Sequence, residues 1–242
     1  MTDPDIAAER KPPQGGALAQ LGNLFVAPAQ ALDYAREHAK MWWLPFVIVL
    51  GLQLILGIWI ALTINIKVVH AMMLRGLAQS HSEHAAQAAQ MIAHHGRGFF
   101  MIGVVTGVVA IGIGELIFAL YLFLADKLFS AANRSFGKWF SFTAWTWLPF
   151  AIATIIAMIV WGLSSHATGK PTDPTSLNAL FFHFKAGVNP HAYATAQFSL
   201  LEFWIIGLVA YGLKRWCSYS TAKTVVIALI PYIVFYAIRY FA

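Results

Sequence analysis

Two glutamates lie within apolar runs at the same distance from a lysine: Glu115 precedes Lys127 by twelve residues, and Glu202 precedes Lys214 by twelve. A carboxyl inside an apolar helix suits one of two tasks. It relays a proton or cation, or it is protonated or hydrogen-bonded and fastens neighbouring helices. A charge at the centre of a membrane span costs roughly 2.5–3.5 kcal/mol on insertion scales. Twelve residues at ~1.5 Å each place both carboxyls about 18 Å from their lysines, near the middle of a bilayer. Gln53 in the first apolar run and Tyr232 in the last fall at similar depth and are the polar partners available. No further basic residue falls at that depth, so an ion pair is not expected.

A second pattern concerns contact rather than chemistry. Gly103, Gly107, Ala110 and Gly114 share one helix face, within about 60° at ~100° per residue. Such a smooth face admits a second helix from the same chain or from a second copy, which makes a homo-oligomer possible. Four histidines, His81, His84, His94 and His95, cluster near Glu83. His81 and His84 stand at i, i+3 and are weak metal candidates, since no standard zinc spacing accompanies them. Solvated histidines in a polar loop explain the cluster better. Ser130, Ser164 and Ser165 have no nucleophile elbow, and there is no P-loop, dinucleotide fingerprint or HExxH. The sequence therefore points to no enzyme and no cofactor.

The elements that position these residues follow from composition. Of 242 residues 59% are hydrophobic and 11% charged, against about 25% charged in soluble domains. Five apolar stretches, roughly 42–65, 99–124, 145–163, 196–213 and 222–241, approach the ~20 residues that cross a bilayer. In lipid they must be helical, because open backbone groups find no partner there. The expected fold is all-α: a polytopic bundle of five transmembrane helices. The polar first 40 residues and the length of the first apolar run speak for a retained anchor rather than a cleaved signal peptide.

Charge sets the orientation. With the N-terminus cytoplasmic and the C-terminus outside, the inner segments hold ten Lys and Arg and the longer outer segments six. The net charge of +6 is then a topological signal, met by anionic lipid, and needs no nucleic acid. Residues 1–20 read as a disordered polar tail and 21–242 as one membrane domain with outer loops 66–98 and 164–195. After Pro28 a short helix at the inner interface leads into the first span.

The tetrapeptide WLPF opens two of the apolar runs, at 43–46 and at 147–150. Trp suits an interface and Pro a first helical turn, so local physics alone accounts for both copies. The matched Glu–Lys spacing favours the alternative, a duplicated unit of WLPF helix, loop and Glu-bearing helix.

The stretch LGNLFVAPAQALDYAREHAKMWWLPF resembles the opening of bacterial members of the Yip (Ypt/Rab-interacting protein) family. FSLLEFWIIGLVAYGLKRWCSYSTAK is similar to that family's fourth span and the small-residue loop behind it, and IALIPYIVFYAI to its last span. The resemblance implies five spans with a cytoplasmic N-terminus, a bacterial cytoplasmic (inner) membrane, and a non-catalytic protein that organises membrane or recruits partners. The alternative left by the residues themselves is a small proton- or cation-linked transporter or channel using Glu115 and Glu202.

Overall fold

The computed structural model describes residues 15–65, 67, 71, 85–129, 133–164, 173–184 and 191–241. Every named element is a helix, and among the described residues the one extended pairing is an isolated antiparallel bridge between Ser176 and Ser199. In chain order the α-helices are α1 (Ala17–Val26), α2 (Pro28–Glu37), α3 (Trp43–Thr63), α4 (Ala85–Phe129), α5 (Phe136–Thr146), α6 (Pro149–Leu163), α7 (Ala192–Gln197), α8 (Leu200–Cys217) and α9 (Thr221–Phe241). A 3-10 turn, Ala39–Trp42, joins α2 to α3, and a π turn covers Asn178–Phe182. Helix α1 takes in residues 17–20, at the end of the stretch read as a polar tail.

Among the described residues four segments are long and apolar enough to cross a membrane: Ala39–Thr63, Gly96–Phe129, Phe136–Leu163 and Thr221–Ile238. Helix α8, with 18 residues, carries three charged ones, Glu202, Lys214 and Arg215, and falls outside that set. The third segment begins nine residues before the apolar run at 145. Its extra length is α5, whose hydroxyls are satisfied without water. Thr143 donates to the Trp139 carbonyl at 3.0 Å, Thr146 to that of Thr143 at 3.1 Å, and Ser141 to that of Ala35 at 3.0 Å. Pro149 is the first residue of α6, where its missing N–H costs nothing, and Pro45 lies in the first turn of α3. Both WLPF copies thus mark helix starts.

The helices alternate in direction, as shown by contacts at their ends. Trp161, near the end of α6, donates to Thr63, the last residue of α3, at 3.0 Å. Tyr236, near the end of α9, reaches Glu202 in the first turn of α8. At the opposite end, Lys223 of α9 donates to the Phe129 carbonyl at 3.4 Å, and Arg134, just before α5, donates to the Trp216 carbonyl of α8. One end therefore gathers Arg36, Lys127, Arg134, Lys214, Arg215 and Lys223, and we call it the basic end. The other, where residues 173–177 cross the start of α8, is the loop end.

The main core lies toward the basic end. Trp139, Phe142, Trp145, Leu32, Leu213 and Trp216 are almost wholly buried there, with α2 packed on α5 and α8. Gly212 makes this closeness possible, because a Cβ there would fall 2.2 Å from the Phe142 ring. Gly57 does the same between α3 and α4, where a Cβ would stand 2.3 Å from Val104. The outward faces carry an apolar belt, with Ile55, Leu62, Val109, Ile117, Ile159 and Ile233 all more than half exposed. That belt suits hydrocarbon rather than water.

Candidate functional site

A partly polar cavity lies at the loop end, between α3, α6 and the start of α8. Its volume is about 450 Å³, and its polar wall includes Gln53, Thr154, Asp173, Gln197, Ser199 and Glu202. Leu56, Phe150, Ala157 and Trp161 supply the apolar wall. Gln53 is held by donating to the Thr154 hydroxyl at 2.9 Å, and that hydroxyl in turn donates to the Phe150 carbonyl at 2.8 Å. A glutamine inside a span is thus fixed to the neighbouring helix by one hydrogen bond.

Glu202 is the third residue of α8 and closes a capping box with Ser199. Its Oε1 accepts from the Ser199 amide at 3.5 Å, while the Ser199 hydroxyl accepts from the Leu201 amide at 3.2 Å. The Tyr236 hydroxyl stands 2.9 Å from both carboxyl oxygens. The segment carrying Asp173 is pinned across this corner. Leu177 donates to the Phe198 carbonyl and Leu200 to that of Thr175, each at 2.8 Å, and the Thr175 and Ser199 hydroxyls are 2.7 Å apart. Asp173 accepts from the Thr175 amide and hydroxyl at 2.8 and 2.6 Å, which fixes its carboxylate on the cavity wall.

Glu115 does not reach this cavity. It is 1% exposed near the middle of the Gly96–Phe129 segment of α4, and both its carboxyl oxygens are buried without a hydrogen-bond partner among the described residues. One turn further on, Phe118 packs its ring against Trp147 and Tyr232, at 5.8 and 6.0 Å. The Trp147 indole nitrogen and the Tyr232 hydroxyl are likewise buried and unpartnered. Tyr232 is thus an aromatic packing residue beside Phe118, and the tyrosine that bonds a carboxyl is Tyr236, one turn beyond it. The two glutamates share their spacing to a lysine in the last turn of each helix, but not their surroundings.

Gly103, Gly107 and Ala110 are exposed, and a Cβ at either glycine would meet nothing within 4 Å; Gly114 alone approaches a neighbour, Trp147, at 3.9 Å. The helix contact of α4 runs instead through Val104, against Gly57, and through Gly112 against Leu50 and Phe46. His81 and His84 lie outside the described residues. His94 and His95 fall on the backbone of α4, and their side chains are not described. Among the described residues no three His, Cys, Asp or Glu side chains gather as metal ligands would.

Sequence reasoning passed over two buried acids at the basic end. Asp33 of α2 receives Arg215 through both Nε and Nη2, at 3.0 and 2.5 Å, with Arg36 at 3.4 Å. Asp126 of α4 accepts from the Arg134 amide at 2.8 Å and from the Trp139 indole at 3.1 Å, with the Arg134 guanidinium at 3.6 Å. A lone Asp flanking an apolar run, with an Arg elsewhere at the same end, is the only trace such pairs leave in sequence. Glu202 left a plainer one, since Ser199-x-x-Glu202 ahead of an apolar run is the capping-box pattern.

Antiparallel apolar helices, an apolar outer belt and buried polar groups at both ends define a multi-pass membrane protein. The chain belongs to the Yip1 domain family, whose family model matches residues 22–241. No curated protein and no solved structure matches the chain.

Proposed function

We propose that the protein is a non-catalytic, five-span membrane protein, with its N-terminus cytoplasmic and its C-terminus outside, that organises membrane or recruits a partner through its basic end. The fifth span is α8. Helices α6 and α9 both run from the basic end to the loop end and α8 runs back between them, which supports counting it as a span. Its three charges are placed at its ends: Glu202 caps the first turn, and Lys214 and Arg215 lie in the last. The excess of Lys and Arg at the basic end supports a cytoplasmic placement of that end.

The observation that carries the recruiting role is the rigid assembly of α1 and α2 on the basic end. Arg215 of the adjacent α8 clamps Asp33 of α2, and α1 shows Leu18 and Val26 to the outside at 74% and 82% exposure. A fixed helix with bare apolar side chains beside a basic surface suits a protein or lipid-surface contact. Photo-crosslinkers at Leu18 and Val26, in cells expressing the full chain, test this. A discrete protein adduct at these positions, absent from a crosslinker at Leu62, is expected. Lipid adducts alone from α1 would leave membrane organisation as the role, and proton or cation flux from proteoliposomes would overturn both.

A further inference from the structure

We propose that the loop-end cavity is a binding site for an organic ammonium ion with a short apolar portion. The inference stands on the cavity and does not depend on the role proposed for the basic end. Two carboxyl groups, Asp173 and Glu202, line the one space, and no Lys or Arg among the described residues lines it with them. Both carboxyls are fixed in place, Asp173 by the Thr175 amide and hydroxyl and Glu202 by Tyr236 and its own capping contact. A preorganised acidic wall of this kind favours a cation without further ordering cost.

The size and the opposite wall narrow the class. About 450 Å³ lies within the range of small-molecule sites and far exceeds one ion, which argues against a bare metal. Leu56, Phe150 and Ala157 offer hydrocarbon contact, and Trp161 offers an aromatic face to a cation. Gln53, Gln197 and Ser199 add neutral hydrogen-bonding groups at the same wall. The complement of these surfaces is an ammonium head joined to a small alkyl or hydroxyalkyl group. Such a head is carried by an aminophospholipid and by a free amine, and the two are distinguished by competition.

Full-length protein in phosphatidylglycerol nanodiscs, titrated with n-butylammonium and followed by calorimetry, gives the test. Saturable binding is expected, at least tenfold tighter than for n-butanol or butyrate. Asp173→Asn and Glu202→Gln should each weaken it at least tenfold, and Gln retains the capping function at that position. Ala157→Phe should abolish it by filling the space without touching a charge. If Glu202→Gln fails to fold, Asp173→Asn and Ala157→Phe decide. In phosphatidylethanolamine nanodiscs, weakened butylammonium binding would assign the site to a lipid headgroup, and unchanged binding would assign it to a free amine. Equal affinity for butanol and butylammonium, or wild-type affinity in the folded variants, would overturn the proposal.

Discussion

At the basic end Asp33, 3% exposed, faces both nitrogens of the Arg215 fork; at the loop end Glu202, 6% exposed, faces a tyrosine hydroxyl and an amide of its own helix turn. The burial is alike and the partners are not. An acid matched by an arginine across the fold acts as a clasp, because separating the pair strands a charge. An acid met only by neutral donors keeps negative charge available to something else in the space it lines. Glu115, between the two ends, has neither kind of partner among the described residues and shows what a carboxyl costs when nothing compensates it.

The sharpest way to break this comparison is at the clasp. Arg215→Ala leaves Asp33 buried with Arg36 alone, and Arg36 approaches only one oxygen, at 3.4 Å. A loss of about 3–5 kcal/mol is expected, the usual result of stranding one partner of a buried pair. Adding Asp33→Asn should recover part of it. Thermal unfolding of the detergent-solubilised protein measures both. If the single variant melts like wild type, the basic end is not held by this contact.

Glu115 should respond with the opposite sign. Replacing an unpartnered buried polar group with an apolar one of similar shape removes a desolvation cost of about 1–3 kcal/mol. Glu115→Leu is therefore expected to unfold later than wild type. A lower melting temperature would mean that the carboxyl is satisfied in the membrane after all. Glu202→Ala should instead cost about 1–2 kcal/mol, since it removes a capping residue and leaves the Tyr236 hydroxyl with only the Gln197 carbonyl at 3.3 Å. Glu202→Gln should stay close to wild type in stability. Unequal signs at positions with identical spacing to a lysine would separate two residues that the sequence presents as a pair.

That false pairing shows where the sequence is legible and where it is not. Of the five apolar runs, four fall, among the described residues, on helices long and apolar enough to cross the membrane, because backbone satisfaction in lipid leaves such runs little choice but helix. Helix starts are legible at Pro28, Pro45 and Pro149, where the imino acid suits a first turn. The face a helix turns inward is not. The glycines at 103 and 107 suggest one seam for α4, and the seam that forms runs through Val104 and Gly112, because the deciding glycine, Gly57, lies on the other helix. Distance along the chain from a lysine does not say whether the next helix brings a carboxyl a tyrosine, an arginine or nothing.

The smallest effect belongs to the cavity wall and tests whether the loop end is held by polar contact or merely lined by it. Gln53 donates to Thr154 across two spans, and hydrogen bonds between membrane helices average about 0.6 kcal/mol in double-mutant cycles. Thr154 also donates its own proton to the Phe150 carbonyl within its helix, so Thr154→Val removes both contacts and only the double-mutant cycle isolates the one to Gln53. Gln53→Leu with Thr154→Val should therefore show a coupling near 0.6 kcal/mol, small beside the clasp at Asp33. A coupling several times larger would make α3 and α6 depend on this contact for their alignment, and the loop end would then be as firmly built as the basic end.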